Sequence, residues 1–348
     1  MMSLANLGRI AAIVCVLPAL LVGPAAGKDD SWEVEGKLIG KISKKTGKVK
    51  KSEDVSGIAC TKQKGFPLTC LIIDDNLQDA QFVEVKDGKL VVGASVNLIK
   101  NKFGDARLEL DGEGVAFSQG FFYVIGSHGH PRDSDEKLDP VKDRDEINAR
   151  IAANSQIVRI RVRDSADAKP EPTSTLRKII TGEATLKGFA DRRLEENGVT
   201  IEGIAIKDDK TLFAGFRGPV LKGDEGKSRA VVLSVPLDAL FDGGDAQHRV
   251  FRLPLGPARG VRDLVTYEDG ILILAGPGAC QCGTYAIYSW DGASENVTLL
   301  SELEQFDPAR KPEGLLPLDR NGKKLRVLIL FDGDEEGKPT PVEIPAPD

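Results

Sequence analysis

Three glutamates occupy the same place in three short, similar segments. They are Glu113 in Gly112-Glu113-Gly114-Val115-Ala116, Glu202 in Ile201-Glu202-Gly203-Ile204-Ala205 and Glu313 in Pro312-Glu313-Gly314-Leu315-Leu316. Two more segments have this shape: Val55-Ser56-Gly57-Ile58-Ala59 and Val261-Arg262-Asp263-Leu264-Val265. There Ser56 and Arg262 stand where the others have glutamate. Carboxylates gathered in one place repel and raise each other's pKa unless a cation intervenes. A hard divalent cation such as calcium, bound by six to eight oxygens, would settle such a group. Glu113, Glu202, Asp263 and Glu313 are therefore the candidate metal ligands. The rival reading is structural. The glutamates would bond backbone amides of a neighbouring repeat, and Arg217 and Arg262 would pair with the carboxylates. His128, in His128-Gly129-His130, is one of three histidines in the chain and the candidate general base. Arg217 and Arg262 are candidates for holding a phosphate or carboxylate, because a guanidinium presents paired donors to such anions.

The elements that must position these residues are short strands. Each segment is followed by a turn and a second β-rich run, the five being Leu68 to Ile73, Phe121 to Ile125, Thr211 to Phe216, Gly270 to Leu274 and Leu325 to Phe331. Successive repeats lie 57, 89, 60 and 51 residues apart, counted from Gly57 through Gly114, Gly203 and Asp263 to Gly314. A propeller blade of four strands takes roughly 40–50 residues in compact families. Residues 157–162, 231–235 and 285–290 supply further alternating strands. The expected fold is all-β: a single β-propeller of five four-stranded antiparallel blades, with six blades as the alternative. The long interval reads as an insertion, charged and partly helical, at about 132–154. A second short helix is expected over 185–197. In a blade the start of the innermost strand and the end of the next meet at one rim. That rule gathers Ser56, Asp74, Asp75, Glu113, Ser127, His128, Glu202, Arg217, Arg262, Asp263, Glu313, Asp332 and Asp334, of which eleven are titratable.

The 348 residues carry a formal net charge of −6, with cations and acids interspersed and no basic block, which excludes a nucleic-acid partner. Arg9, the 13-residue apolar run Ile10–Val22 and the small residues to Ala26 have the three parts of a secretory signal peptide. That run is shorter than the ~20 residues of a membrane span. Cleavage near Ala26 would leave residues 27–348, one domain, charge −7, exported to the periplasm or beyond and without a membrane segment. A monomer is expected. Export permits disulfides. Cys60 and Cys70 flank a hairpin-like turn, whereas Cys280 and Cys282 either pair with each other or elsewhere. The four spacings fit no zinc knuckle. Phosphate-binding loops, the nucleophile elbow and the His-Glu-x-x-His zinc motif are all missing from the sequence.

Taken together, the Glu-Gly-Ile/Val-Ala segments, Gly126-Ser127-His128, Phe216-Arg217-Gly218-Pro219, Val261-Arg262-Asp263-Leu264 and Pro312-Glu313-Gly314-Leu315 resemble a bacterial domain-of-unknown-function family of exported propellers, over roughly residues 50–335. The near family implies no reaction. More distantly, the segments look like phytase-like esterase propellers and the lactonase propellers that hold calcium in the channel. That likeness implies calcium-assisted hydrolysis of a phosphoester or lactone. Ser56 and Arg262 depart from an all-acidic cage, and an anion held against Arg217 and Arg262 fits them equally. Two functions follow. One is a metal-assisted hydrolase acting on a small anionic substrate, with His128 as base. The other is a non-catalytic propeller that binds a ligand or protein partner.

Overall fold

The computed structural model describes residues 30–348, apart from 44, 132–137, 163–168, 224–225, 280–282 and 308. The expected signal segment and the Cys280/Cys282 pair lie outside the described residues. Residues Ser31–Asp348 form one compact unit. Five small sheets succeed one another along the chain, each beginning with one of the repeat segments. The innermost strands are Val55–Cys60, Gly112–Ser118, Thr200–Lys207, Arg259–Tyr267 and Lys311–Asn321. Their antiparallel neighbours are Leu68–Asp74, Phe121–Gly126, Thr211–Lys222, Gly270–Pro277 and Lys324–Asp332. This is a five-bladed β-propeller.

The second strands are largely apolar because both of their faces are buried along most of their length. Leu68, Cys70 and Ile72 point into the core shared with the fifth blade, while Leu71 and Ile73 point into the core shared with the second. Side chains that alternate across a strand thus serve two neighbours at once. The same division repeats around the ring, giving five apolar clusters, one at each blade interface. Strand sequence therefore fixes both the blade and its contacts.

Toward the axis the inner strands approach to backbone contact. A Cβ added to Gly57 would lie 3.1 Å from the Cα of Gly114, one on Gly114 2.9 Å from that of Gly203, and one on Gly203 2.6 Å from that of Asp263. The glycines of the first three repeats are thus needed for close packing. On the far side of this belt the loop between Cys60 and Cys70, closed by their disulfide, reaches the fourth blade. Gln63 Nε2 donates to Thr266 O at 3.2 Å, and Lys64 pairs with Glu268 at 3.1 Å.

Blades two to four have the expected four strands, but the first has five and the fifth three. The N-terminal strand Glu33–Glu35 does not complete it; it adds in parallel to Lys89–Asn97 of the first blade. Ring closure falls to other contacts. Trp32 N donates to Pro339 O, Gly333 N to Glu53 O, Glu336 N to Ser52 O, and Leu38 N to the Glu336 carboxylate. The insertion ends in a helix, Arg144–Asn154. A further helix forms at Thr175–Gly182, N-terminal to the expected 185–197, where only a 3₁₀ turn at Leu194–Glu196 is found. Its buried Leu176, Ile179 and Ile180 at i, i+3 and i+4 carry the periodicity.

Candidate functional site at the channel mouth

Every inner strand carries a register irregularity at the same place: between Val55 and Gly57, Gly112 and Gly114, Ile201 and Gly203, Val261 and Asp263, and Pro312 and Gly314. The skipped residues are Ser56, Glu113, Glu202, Arg262 and Glu313. A bulge re-aims the side chain it carries. Here it turns three carboxylates toward one another, and oxygens of Glu113, Glu202 and Glu313 lie within 4.8 Å of each other. All three are buried, as is Arg262 at 1% exposure.

The arginines sit among these acids. Arg262 Nη2 stands 3.4 Å from Glu202 Oε2 and ion-pairs with Glu313. Arg217 Nη1 donates to Glu202 Oε1 at 3.1 Å. Burial first, then the neighbouring Arg217, pulls the Arg262 pKa down, while Glu202 holds it up. Gly276 makes room for this guanidinium stem: a Cβ there would lie 2.4 Å from the Tyr285 ring and 2.9 Å from Arg262 Cγ.

Asp263 faces elsewhere. Its carboxylate accepts hydrogen bonds from Leu264 N and Leu315 N, both at 2.8 Å, and so ties the fourth blade to the fifth. Burial pushes its pKa well up against those two bonds. Of the expected set, the structure brings Glu113, Glu202 and Glu313 together and turns Asp263 away. One member is committed to backbone amides, and a guanidinium takes the place of an ion between two others.

His128 follows the strand Phe121–Gly126, as expected, but is wholly enclosed and lines no part of the mouth. The end of the insertion and the helix Thr175–Gly182 fold over it. His128 N donates to Asn154 O, and Arg177 Nη1 donates to His128 O at 2.8 Å. Neither ring nitrogen has a hydrogen-bond partner among the described residues. Burial, then Arg177, pushes its pKa down to about 3. The rim rule located its backbone; the insertion that covers it has no signature in the repeat.

The mouth is a cavity of about 220 Å³ whose walls include Asp75, Glu113, Glu202, Arg217, Tyr285 and Lys311. Lys311 pairs with Asp332 at 2.7 Å. Beside it the first two blades assemble an acidic shelf. Carboxylate oxygens of Asp54, Asp74 and Asp75 lie within 4.8 Å of one another, as do those of Asp75, Asp111 and Glu113. Asp74 accepts from Ser52 Oγ at 2.6 Å and Asn76 N at 3.0 Å, yet burial pushes its pKa up to about 7. Ser127 donates to Asp111, and Lys41 stands 3.5 Å from Asp54. Sequence reasoning missed Asp54, Asp111, Tyr285 and Lys311 as site residues. Asp111 was within reach, since it directly precedes Gly112-Glu113. Lys311 was within reach in the same way, since it directly precedes Pro312-Glu313, whereas Tyr285, just before the strand Ala286–Trp290, carries no motif.

A ring of five small antiparallel sheets with a polar, titratable mouth defines the class: a five-bladed β-propeller protein. The chain belongs to the family described as protein of unknown function (DUF3616), whose model matches residues 76–187 and 140–343. No curated protein matches it. Among solved structures it is similar to exo-β-1,3-galactanase from Phanerochaete chrysosporium, at 11% identity and a TM-score of 0.45, over 90% of this chain and 63% of that one. This chain thus spans less than two thirds of the galactanase's length. It is also similar to a GH43 endo-arabinanase from Bacillus licheniformis, at 11% identity and a TM-score of 0.37, over 90% and 95% of the two chains. A luciferin-regenerating enzyme gives 13% identity and a TM-score of 0.39, over 86% and 80%.

Proposed function

We propose that the chain is an exported hydrolase of small anionic esters, acting at the channel mouth. The observation that carries this reading is Arg217. It is buried on the wall of the cavity, and its Nη1 is bound to Glu202 while its Nε has no hydrogen-bond partner among the described residues. A buried donor left unmatched costs stability, so its retention favours a ligand that matches it. An anionic group entering the cavity would accept from Arg217 Nε and face the Lys311 ammonium. Glu113 and Glu202, on the same walls, would be in reach of a water and take its proton as it attacks phosphorus or a carbonyl carbon. The leaving oxygen would depart with a proton returned from the same carboxyl group. Export is supported by the signal-like segment 1–26 and by the Cys60–Cys70 disulfide, and among the described residues no helix is long and apolar enough to cross a membrane.

The second reading, a propeller that captures an anion without turnover, is favoured by the position of His128, which leaves the cavity without an imidazole base. One experiment separates the two. The mature protein is screened against phosphomonoesters, phosphodiesters and lactones for turnover, and against their unreactive analogues for binding. Arg217→Ala leaves Glu202 its contact with Arg262, so the variant should fold. For a hydrolase it should lower kcat/KM by about 100-fold or more, on the scale of one lost charge-stabilising donor. Analogue binding without turnover of any ester would select the binding reading. Neither binding nor turnover across the panel would remove both.

A further inference from the structure

We propose that the mouth holds a divalent cation on the shelf of the first two blades, bound by Asp75, Asp111 and Glu113 with the Ser56 hydroxyl, beside the arginine-filled glutamates. This rests on the proposed site but not on its chemistry. The three carboxylates converge within 4.8 Å, the spread of oxygens around one hard cation. They come from separate elements: the end of a second strand, the approach to the next blade, and a bulge.

Ser56 is the independent observation. It occupies, in the first blade, the bulge place that brings Glu113, Glu202, Arg262 and Glu313 into the mouth. It is 1% exposed, and its Oγ has no hydrogen-bond partner among the described residues. The adjoining Gly57 abuts the second blade, where an added Cβ would lie 3.3 Å from the backbone oxygen of Glu113. A small neutral hydroxyl in place of a fourth glutamate leaves room for an ion and supplies one further oxygen.

The electrostatics agree with this geometry. Asp75 has no ion-pair partner among the described residues, and its carboxylate lies within 4.8 Å of those of Asp54, Asp74, Asp111 and Glu113. A divalent cation would balance like charges held so close. On the other side of the mouth Arg262 already supplies positive charge. The first two blades are oxygen-rich, and two of the proposed ligands, Asp75 and Glu113, line the same cavity.

The test is calorimetric titration of the chelator-stripped mature protein with calcium, magnesium and manganese chlorides, alongside thermal melts. One site is expected, with a rise in melting temperature as the ion is added, since binding to the native state alone stabilises it. Asp75→Asn and Asp111→Asn should each weaken binding by about tenfold or more, as affinity follows the ligand charge count. Ser56→Ala, which removes one neutral oxygen, should weaken it by a few-fold and leave the fold intact. No binding of any of the three ions by the unsubstituted protein overturns the proposal. So does binding that survives both aspartate variants but is lost in Glu202→Gln, which would place the ion among the arginine-paired glutamates. Binding at the shelf without hydrolysis of any ester keeps this inference and removes only the hydrolase reading.

Discussion

The two sides of the mouth solve the same electrostatic problem differently. On the third, fourth and fifth blades, Glu202 and Glu313 are matched by Arg262 and Arg217, all buried and fixed by direct contact. On the first and second blades, Asp54, Asp74 and Asp75 crowd together, with Lys41 the one cation among the described residues in ion-pair range, 3.5 Å from Asp54, and the pKa values of all three aspartates rise. Positive charge is built into one side by the chain. On the other it must come from protons or from a bound ion. The first side is therefore a structural clamp that also presents a donor, and the second is the responsive side.

The largest effect should come from breaking the clamp. Arg262→Met removes the cation between Glu202 and Glu313, leaving Glu202 its contact with Arg217 but the buried Glu313 without its guanidinium. The expected loss is about 3–5 kcal/mol, read by urea unfolding. Adding Glu313→Gln to that variant should recover part of it, because one stranded charge goes too. No recovery would show that Glu313 is balanced by something other than Arg262. Next comes Asp263→Ala, which orphans two backbone amides at the seam of the fourth and fifth blades. About 1–3 kcal/mol is expected for each buried amide left unpaired. A smaller loss, about 1–3 kcal/mol in all, is expected for Gly203→Ala, whose new methyl would press on the Asp263 backbone. A cost near zero there would mean that the glycine belt yields, and that blade spacing is not set at the axis.

How much of this was legible follows from what a repeat can encode. The five inner strands, their partners and the charged residues at the bulge position recur in sequence, so the fold and the residues of the clamp could be read directly. Asp263 was legible as an acid in the right strand but not in its role. The bulge sends residue 262 into the mouth and turns 263 toward Leu315, a difference of one residue that no composition shows. His128 illustrates the opposite failure. Its strand was correct, but the fold buries it beneath a helix at 175–182 that belongs to no repeat. The shelf was half visible. Asp74 and Asp75 end a strand, whereas Asp54 and Asp111 stand at matching places directly before the repeat segments of the first two blades, a position the rim rule did not include.

The smallest effects at neutral pH belong to Asp74 and His128, and together they sharpen the comparison, because their signs oppose. Asp74 has its pKa raised from 3.8 to about 7 by burial. The native protein therefore binds more protons than the unfolded chain across that window, and stability falls as pH rises through it. His128 has its pKa lowered from 6.5 to about 3 by burial, so the unfolded chain binds more protons, and stability is lost as pH falls from 6.5 toward 3. Between about pH 4 and 6.5 the two contributions oppose each other, while the raised pKa values of Asp54, Asp75 and Glu109 add to the fall with pH. Relative to the parent, Asp74→Asn should therefore tilt the profile upward with pH, by about 3 kcal/mol over that range. His128→Leu should tilt it downward relative to the parent by a similar amount. Melting curves at half-unit pH steps measure both. Profiles tilting in the same direction would mean that the responsive side of the mouth is already neutralised by a partner other than the proton, and saturating divalent cation should then be the condition that restores the opposition when it is withdrawn.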